Sequence, residues 1–145
     1  MKSNYFKSKS RTPFQIIVNE KQSIEKTFEC LKCSIDRSIL ICKGVVQPTT
    51  QSVFYTIRLK YDGSHRPTVH IIDPVLPYDR KAHMFKDKSL CLYYPKEQPW
   101  SNNLSISQTI IPWTAEWLVY YELYQYYGKW LGPEVDHGNN EKIKD

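Results

Sequence analysis

Apolar residues between Thr12 and Glu29 fall at Ile16, Ile17, Ile24 and Phe28, offsets that approximate one face of a helix running from Pro13 to about Glu29. Thr12 is placed to cap it, and Pro13 at the first helical position has no N–H to leave unpaired. The period then changes from helical to alternating. In KCSIDRSILICKGVV, residues 32–46, the first part alternates and Ile39 to Val46 is rich in β-branched residues, with Asp36-Arg37-Ser38 as the turn of a hairpin. SVFYTIRLKYDG, residues 52–63, alternates throughout: Val53, Tyr55, Ile57 and Leu59 face one way, Phe54, Thr56, Arg58 and Lys60 the other. Asp62-Gly63 closes that strand, and RPTVHIIDP supplies a fourth that ends at Pro74. Four consecutive strands on short turns predict an antiparallel meander.

Beyond Trp100 the helical period returns. Ser105 is placed to cap a short helix, which Pro112 is expected to interrupt or restart, because proline lacks an N–H and crowds the preceding turn. From Trp113 onward Trp117, Tyr120, Tyr121 and Tyr124 recur at three- and four-residue offsets, and Gly128 is a natural stop. The order is helix, four strands, an irregular crossover that holds Cys91, then C-terminal helices, which is an α+β pattern. At 145 residues the chain is expected to be one domain, 1–145, with residues 1–11 and 133–145 as tails.

Composition narrows the function classes. No apolar run approaches the roughly 20 residues of a membrane span, and MKSNYFKSKSR lacks the apolar core of a secretory signal, so the chain is expected to be cytoplasmic. In that compartment Cys30, Cys33, Cys42 and Cys91 are expected to be thiols. The net charge of +5 beside eleven tyrosines and four tryptophans invites a single-strand nucleic-acid reading. It is disfavoured, since the basic residues are scattered and the aromatics sit at packing intervals. Most of Trp113, Trp117, Tyr120, Tyr121, Tyr124 and Trp130 are expected to cover the sheet. Some, with Tyr124 and Tyr127 as outward-facing examples, are expected to form an exposed docking patch for a partner or for a second copy in a homodimer.

Familiar catalytic signatures are absent from the sequence: there is no Gly-rich phosphate loop, no G-x-S-x-G elbow and no paired-carboxylate spacing. Cys30-x-x-Cys33 lacks a second ligand pair for zinc and stands in the wrong order for a thioredoxin-like site, so no metal is expected. His65, His70 and His137 have no evident partners and receive no role. Cys91 differs in its surroundings. It follows the charged turn KDKS and precedes a stretch in which Pro95 and Pro99 rule out an ordinary central strand. In irregular backbone the thiol can be partly exposed, with Lys86, Lys88 and His83 expected to favour its thiolate. Against this stands the simple alternative of a buried cysteine that packs beside a loop.

The order of parts resembles the ubiquitin-conjugating enzymes. RPTVHIID looks like the end of their fourth strand, His83 like the His of their His-Pro-Asn motif, SLCLYYP like their Ile-Cys-Leu, and Trp100 with LSIS like the Trp and helix start beyond. More narrowly, HMFKDKSLCLYYPKEQPW, IIPWTAEWLVYYE and YGKWLGPEVDH are similar to the branch encoded in CBASS, the cyclic-oligonucleotide-based antiphage signalling systems of bacteria. Two departures stand out. Met84 and Phe85 replace the Pro and Asn, and Cys91 follows His83 by eight positions, about two fewer than the family pattern.

The resemblance implies a ubiquitin-conjugating-enzyme-like fold and a cysteine-dependent transferase. Cys91 would be the nucleophile and His83 would organise the site. Asn102 or Asn103 would be the nearest stand-in for the missing oxyanion Asn, or a gate. The acyl donor implied is the C-terminus of a partner CBASS nucleotidyltransferase, cGAS-like, with no cofactor and no metal. A chain this short is expected to be the stand-alone form, with the donor activated by another protein. The alternative is a catalytically inactive module of the same fold that docks the nucleotidyltransferase.

Overall fold

A computed structural model describes residues 11–92 and 100–133. Of the tails expected at 1–11 and 133–145, residues 1–10 and 134–145 lie outside the described residues. Helix α1 spans Pro13–Thr27. Its start is set by reciprocal bonds: the Gln15 N–H donates to Thr12 Oγ1 at 3.1 Å and the Thr12 N–H to Gln15 Oε1 at 2.9 Å. Two of the N–H groups that a helix start leaves unpaired are thereby satisfied. Ile16, Ile17 and Ile24 are buried, as their spacing requires.

Strands β1 (Leu31–Asp36), β2 (Ile39–Val46), β3 (Tyr55–Tyr61) and β4 (Thr68–Asp73) form one antiparallel sheet in the order β1-β2-β3-β4. The β1–β2 turn places Arg37 and Ser38 at φ 52° and 63°, the left-handed pair whose twist matches the flanking strands. Tyr55, Ile57, Leu59 and Tyr61 point to the core. β3 is shorter than its alternation suggests. Ser52 Oγ and the Tyr55 hydroxyl each donate to the Glu122 carboxylate at 2.8 Å, which fixes the preceding loop against the C-terminal helix. Val53 and Phe54 are left outside the ladder, 58% and 64% exposed. At the far end of β3 the turn glycine Gly63 adopts φ 88°, and a Cβ there would strike the Pro13 backbone, so this turn abuts the start of α1.

Helix α2 spans Ile110–Tyr127 and ends on Gly128 at φ 80°, whose N–H donates to Tyr124 O at 2.8 Å. Pro112 does not interrupt it. Proline occupies the first turn, where the N–H groups have no intrahelical acceptor to lose. Residues 105–109 form turns instead of the expected short helix, and Thr109 Oγ1 donates to Ser105 O at 2.7 Å. Trp117 and Tyr121 are core residues stacked at 5.1 Å, while Tyr124 is tied by its hydroxyl to Asp79 Oδ2 at 2.8 Å and so is not an outward-facing ring. The exposed rings of this helix are Tyr126 and Tyr127, at 80% and 58%. Among the described residues no helix is long and apolar enough to cross a membrane.

The cysteine expectation needs a correction as well. Cys33 and Cys42 stand directly opposite each other on β1 and β2, with Cα atoms 4.1 Å apart, and are joined as a disulfide. Register is the reason: of the four cysteines these two share a rung. Cys30 is an exposed thiol in the turn after α1. Among the described residues no group of three or more His, Cys, Asp or Glu is arranged to hold a metal ion.

Both helices contribute to the same buried cluster as the inward sheet positions, and α1 lies across β1 and β2. One polar group enters this interface. Glu20 is buried, and both carboxylate oxygens accept the Ile106 N–H at 3.3 Å. Burial raises its pKa above the usual carboxylate value, against the opposing pull of that N–H and of Arg11. A carboxyl whose folded pKa is raised favours the folded state most when protonated, so stability falls as pH climbs from the unfolded value through the folded one. Glu20→Gln keeps an acceptor for Ile106 but cannot ionise. Its urea midpoint is expected to lose the part of the pH dependence that this group gives the parent above the ordinary carboxylate pKa, and to match or exceed the parent at pH 7.

Candidate active site around Cys91

The segment from His83 to Cys91 folds as a miniature hairpin laid along the edge of the sheet. Cys91 N–H donates to His83 O at 2.9 Å, Phe85 N–H to Ser89 O at 2.8 Å and Lys88 N–H to Phe85 O at 2.8 Å, with Met84 and Leu90 bridged between them. The sequence permits so tight a reversal because Asp87 caps it. Its Oδ1 accepts the Ser89 N–H at 2.8 Å and the Ser89 hydroxyl at 2.6 Å. Burial pushes the Asp87 pKa up, but these bonds and the nearby His70 and Arg66 outweigh it and hold the carboxyl below its usual range.

Three contacts fasten the hairpin to β4 and the turn before it. Leu90 N–H donates to Val69 O at 3.0 Å, extending the ladder by one rung. The His70 ring donates through Nε2 to the Asp87 carbonyl at 3.1 Å, since a carbonyl can only accept. The Arg66 guanidinium lies 3.9 Å over the Phe85 ring.

Helix α2 grips the other side. A turn of 3-10 helix, Arg80–Ala82, leads in, capped by Asp79, whose Oδ1 accepts the Lys81 N–H at 2.9 Å and whose Oδ2 holds Tyr124. His83 follows in the left-handed region at φ 58°, and its carbonyl accepts a second donor, the Trp117 indole N–H, at 3.3 Å. The Trp130 ring covers the imidazole, centroid to centroid 5.0 Å, and itself packs on Trp117 at 5.8 Å and Tyr120 at 6.0 Å. The aromatic spacing in the sequence marked these rings as packing residues. That Trp117 also hydrogen-bonds the candidate site depends on its indole nitrogen, which spacing does not reveal.

The structure therefore brings His83 and Cys91 together through the main chain. Cys91 is 3% exposed. Its own N–H is committed to His83 and is not available to an oxyanion. Lys86 and Lys88 are exposed at the hairpin's tip, while Cys91 is at its open end, on the order of 10 Å away by strand rise. The expected support of a thiolate by those lysines is not what the hairpin provides. Asn102 and Asn103 lie exposed in a turn after Trp100, where the Asn102 carbonyl accepts from Arg11 at 3.3 Å and the Asn103 N–H donates to Ser101 Oγ at 3.2 Å. Among the described residues neither carboxamide is hydrogen-bonded. Trp100 anchors this return of the chain, donating its indole N–H to the Tyr61 hydroxyl at 3.3 Å. Pro95 and Pro99, like the rest of 93–99, lie outside the described residues.

Two outcomes follow from this geometry. Alkylation of the unfolded, unreduced chain is expected to modify Cys30 and Cys91 only, and in the native protein Cys30 first; labelling of all four cysteines would dissolve the Cys33–Cys42 bond. Trp117→Phe keeps the stacked ring but removes one of the two donors to His83 O. It is expected to cost about 1 kcal/mol in urea unfolding, and an unchanged midpoint would show that this N–H contributes nothing.

The comparisons with known proteins now have a structure to rest on. The family model described as type II CBASS E2 protein matches residues 20–138, a span that begins within α1 and includes the whole sheet, the Cys91 hairpin and α2. No curated protein matches the chain. The chain belongs to the type II CBASS E2 family.

Proposed function

We propose that the protein is a cysteine-dependent acyl carrier and transferase of a CBASS system, with Cys91 as nucleophile. The supporting observation is that the one cysteine in a Leu-Cys-Leu setting, which resembles the family's Ile-Cys-Leu, lies at the open end of a hairpin fastened on both sides, to β4 through Val69 and to α2 through His83. Such a mounting restrains the backbone that carries the sulfur, and covalent catalysis needs a held geometry. In the reaction the Cys91 thiol gives up its proton and the sulfur attacks the activated C-terminal carbonyl of the partner nucleotidyltransferase. The activating group departs and a thioester forms. An amine or hydroxyl then attacks the same carbon, and the thiol is regenerated. His83 acts in this scheme through its carbonyl, as a positioning residue. Oxyanion donors, each worth about 3–4 kcal/mol, come from groups other than the Cys91 N–H, and Asn102 and Asn103 are candidates once partner is bound.

A second reading has an observation of its own. The near-complete burial of Cys91 and the substitution of Met84 and Phe85 for the Pro-Asn pair suit an inactive module that only docks the nucleotidyltransferase.

Co-expression with the nucleotidyltransferase of the same system, followed by intact-mass measurement, separates the two. The transferase reading expects an adduct of the partner's mass that thiol reagents release, a thiol-resistant oxyester with Cys91→Ser, and no adduct with Cys91→Ala. A complex that forms without any adduct in the parent protein would identify the docking module. An adduct that persists in Cys91→Ala would assign the chemistry to another residue.

A further inference from the structure

Two loops leave the sheet at the same end. Val46 pairs with Tyr55 and Thr56 with Asp73, so the loop 47–54 and the segment 74–78 emerge side by side. Helix α2 reaches this end too and is fastened to both. Its Glu122 carboxylate accepts Ser52 Oγ and the Tyr55 hydroxyl, and its Tyr124 hydroxyl donates to Asp79. A turn beyond Glu122, Tyr126 and Tyr127 complete the helix, with ring centroids 4.8 Å apart.

Most of the exposed large apolar side chains among the described residues gather here: Val53 and Phe54 on the loop, Val75 and Tyr78 on the segment, Tyr126 and Tyr127 on the helix, exposed by 41% to 80%. The opposite end, where Asp36-Arg37-Ser38 and Asp62-Gly63-Ser64-His65 make the turns, contributes Phe14. Scattered apolar residues on a surface need no explanation, but a gathering at one end marks an interaction site. Charge at this end is sorted as well. The carboxylates of Glu122 and Asp79 are directed toward the hydroxyls of Ser52, Tyr55 and Tyr124. Lys81, just past the segment, and Lys129, just past the helix, are exposed, against Asp73 as the exposed acid where β4 ends.

We propose that this end is a peripheral membrane-binding surface. Phe54 and Val75 enter the acyl boundary of an anionic bilayer, Tyr78, Tyr126 and Tyr127 lie at headgroup depth, and Lys81 and Lys129 meet lipid phosphates. Side chains exposed to this degree stand proud of the surface instead of lining a groove, so they offer a partner's helix or strand no slot to fill. A bilayer interface needs no slot: it takes up separate apolar tips, favours tyrosine at the headgroups and attracts lysines beside them. A second copy is disfavoured, because two such ends brought together would crowd their lysines around one shared patch. The chain lies on the surface and does not span it, since no helix among the described residues is long and apolar enough to cross a membrane. The proposal is independent of the acyl-transfer reading and uses no residue of the Cys91 hairpin.

The test is co-sedimentation of the full chain with vesicles of phosphatidylglycerol and phosphatidylcholine in equal parts, and with phosphatidylcholine alone. Binding is expected to the mixed vesicles, weaker to phosphatidylcholine alone, and to fall with added salt. Phe54→Ser and Tyr126→Ser are each expected to weaken binding to the mixed vesicles about tenfold, because one ring no longer leaves water. Lys129→Glu weakens binding to the mixed vesicles and not to phosphatidylcholine, while Phe14→Ser, at the opposite end, changes neither. Melting temperatures of the Phe54 and Tyr126 variants are expected to match the parent, since both side chains are already in water in the folded chain. Absence of binding to both kinds of vesicle, or equal loss with Phe14→Ser, would overturn the proposal. A concentration-dependent dimer that forms without lipid and is abolished by Phe54→Ser would also overturn it, by making this end a contact between copies. Loss of a complex with the nucleotidyltransferase in Phe54→Ser, with vesicle binding intact, would reassign the end to a protein partner.

Discussion

Two N–H groups converge on the carbonyl oxygen of His83, one from the backbone of Cys91 and one from the indole of Trp117. Through that atom the hairpin is joined to the C-terminal helix, and the position of Cys91 depends on both. His83 can present its carbonyl this way because its left-handed conformation reverses the chain just after the turn capped by Asp79. Asp79 in turn is held by Tyr124, two helical turns beyond Trp117 on α2. One helix thus sets both the entry to the hairpin and its closing rung. A substitution that shifts α2 along its axis would move the candidate nucleophile without touching it.

The same hairpin solves a problem of the sheet. β4 is an edge strand, and an unpaired edge invites other chains. Leu90 occupies the Val69 carbonyl and the Asp87 carbonyl occupies His70, so the site is built from the structure that covers this edge. On the opposite edge Glu25 Oε2 accepts the Cys33 N–H at 3.1 Å, and Gly44 lets the Cys30 carbonyl settle against β2 where a Cβ would collide.

The fold was legible in the sequence wherever one face of an element is dry. Ile16, Ile17 and Ile24 announce α1, and the alternation from Tyr55 to Tyr61 announces β3, because burial on a single side imposes a period. Legibility failed where long-range bonds decide. Glu122, far along the chain, withdraws Ser52 and its neighbours from β3, and the first turn of α2 accepts Pro112 because its N–H groups need no partner there. The pairing of Cys33 with Cys42 follows from register, which local pattern leaves free by two residues at a time. At the candidate site the sequence singled out Cys91 in an irregular crossover, and the structure places it at the open end of a hairpin. Charge proximity in sequence, however, misplaced Lys86 and Lys88, which a hairpin carries to its far end.

With α1 and α2 on one face of the sheet and the Cys91 hairpin along the β4 edge, the opposite face is a broad surface that the described elements leave uncovered. Lys32, Lys43, Arg58 and His70 stand in one row across that face, and the sheet itself sets their spacing. Because His70 belongs to that row and also donates to the Asp87 carbonyl, the open face and the Cys91 hairpin share a side chain. A change at His70 on the open face therefore reaches the turn whose far end holds Cys91.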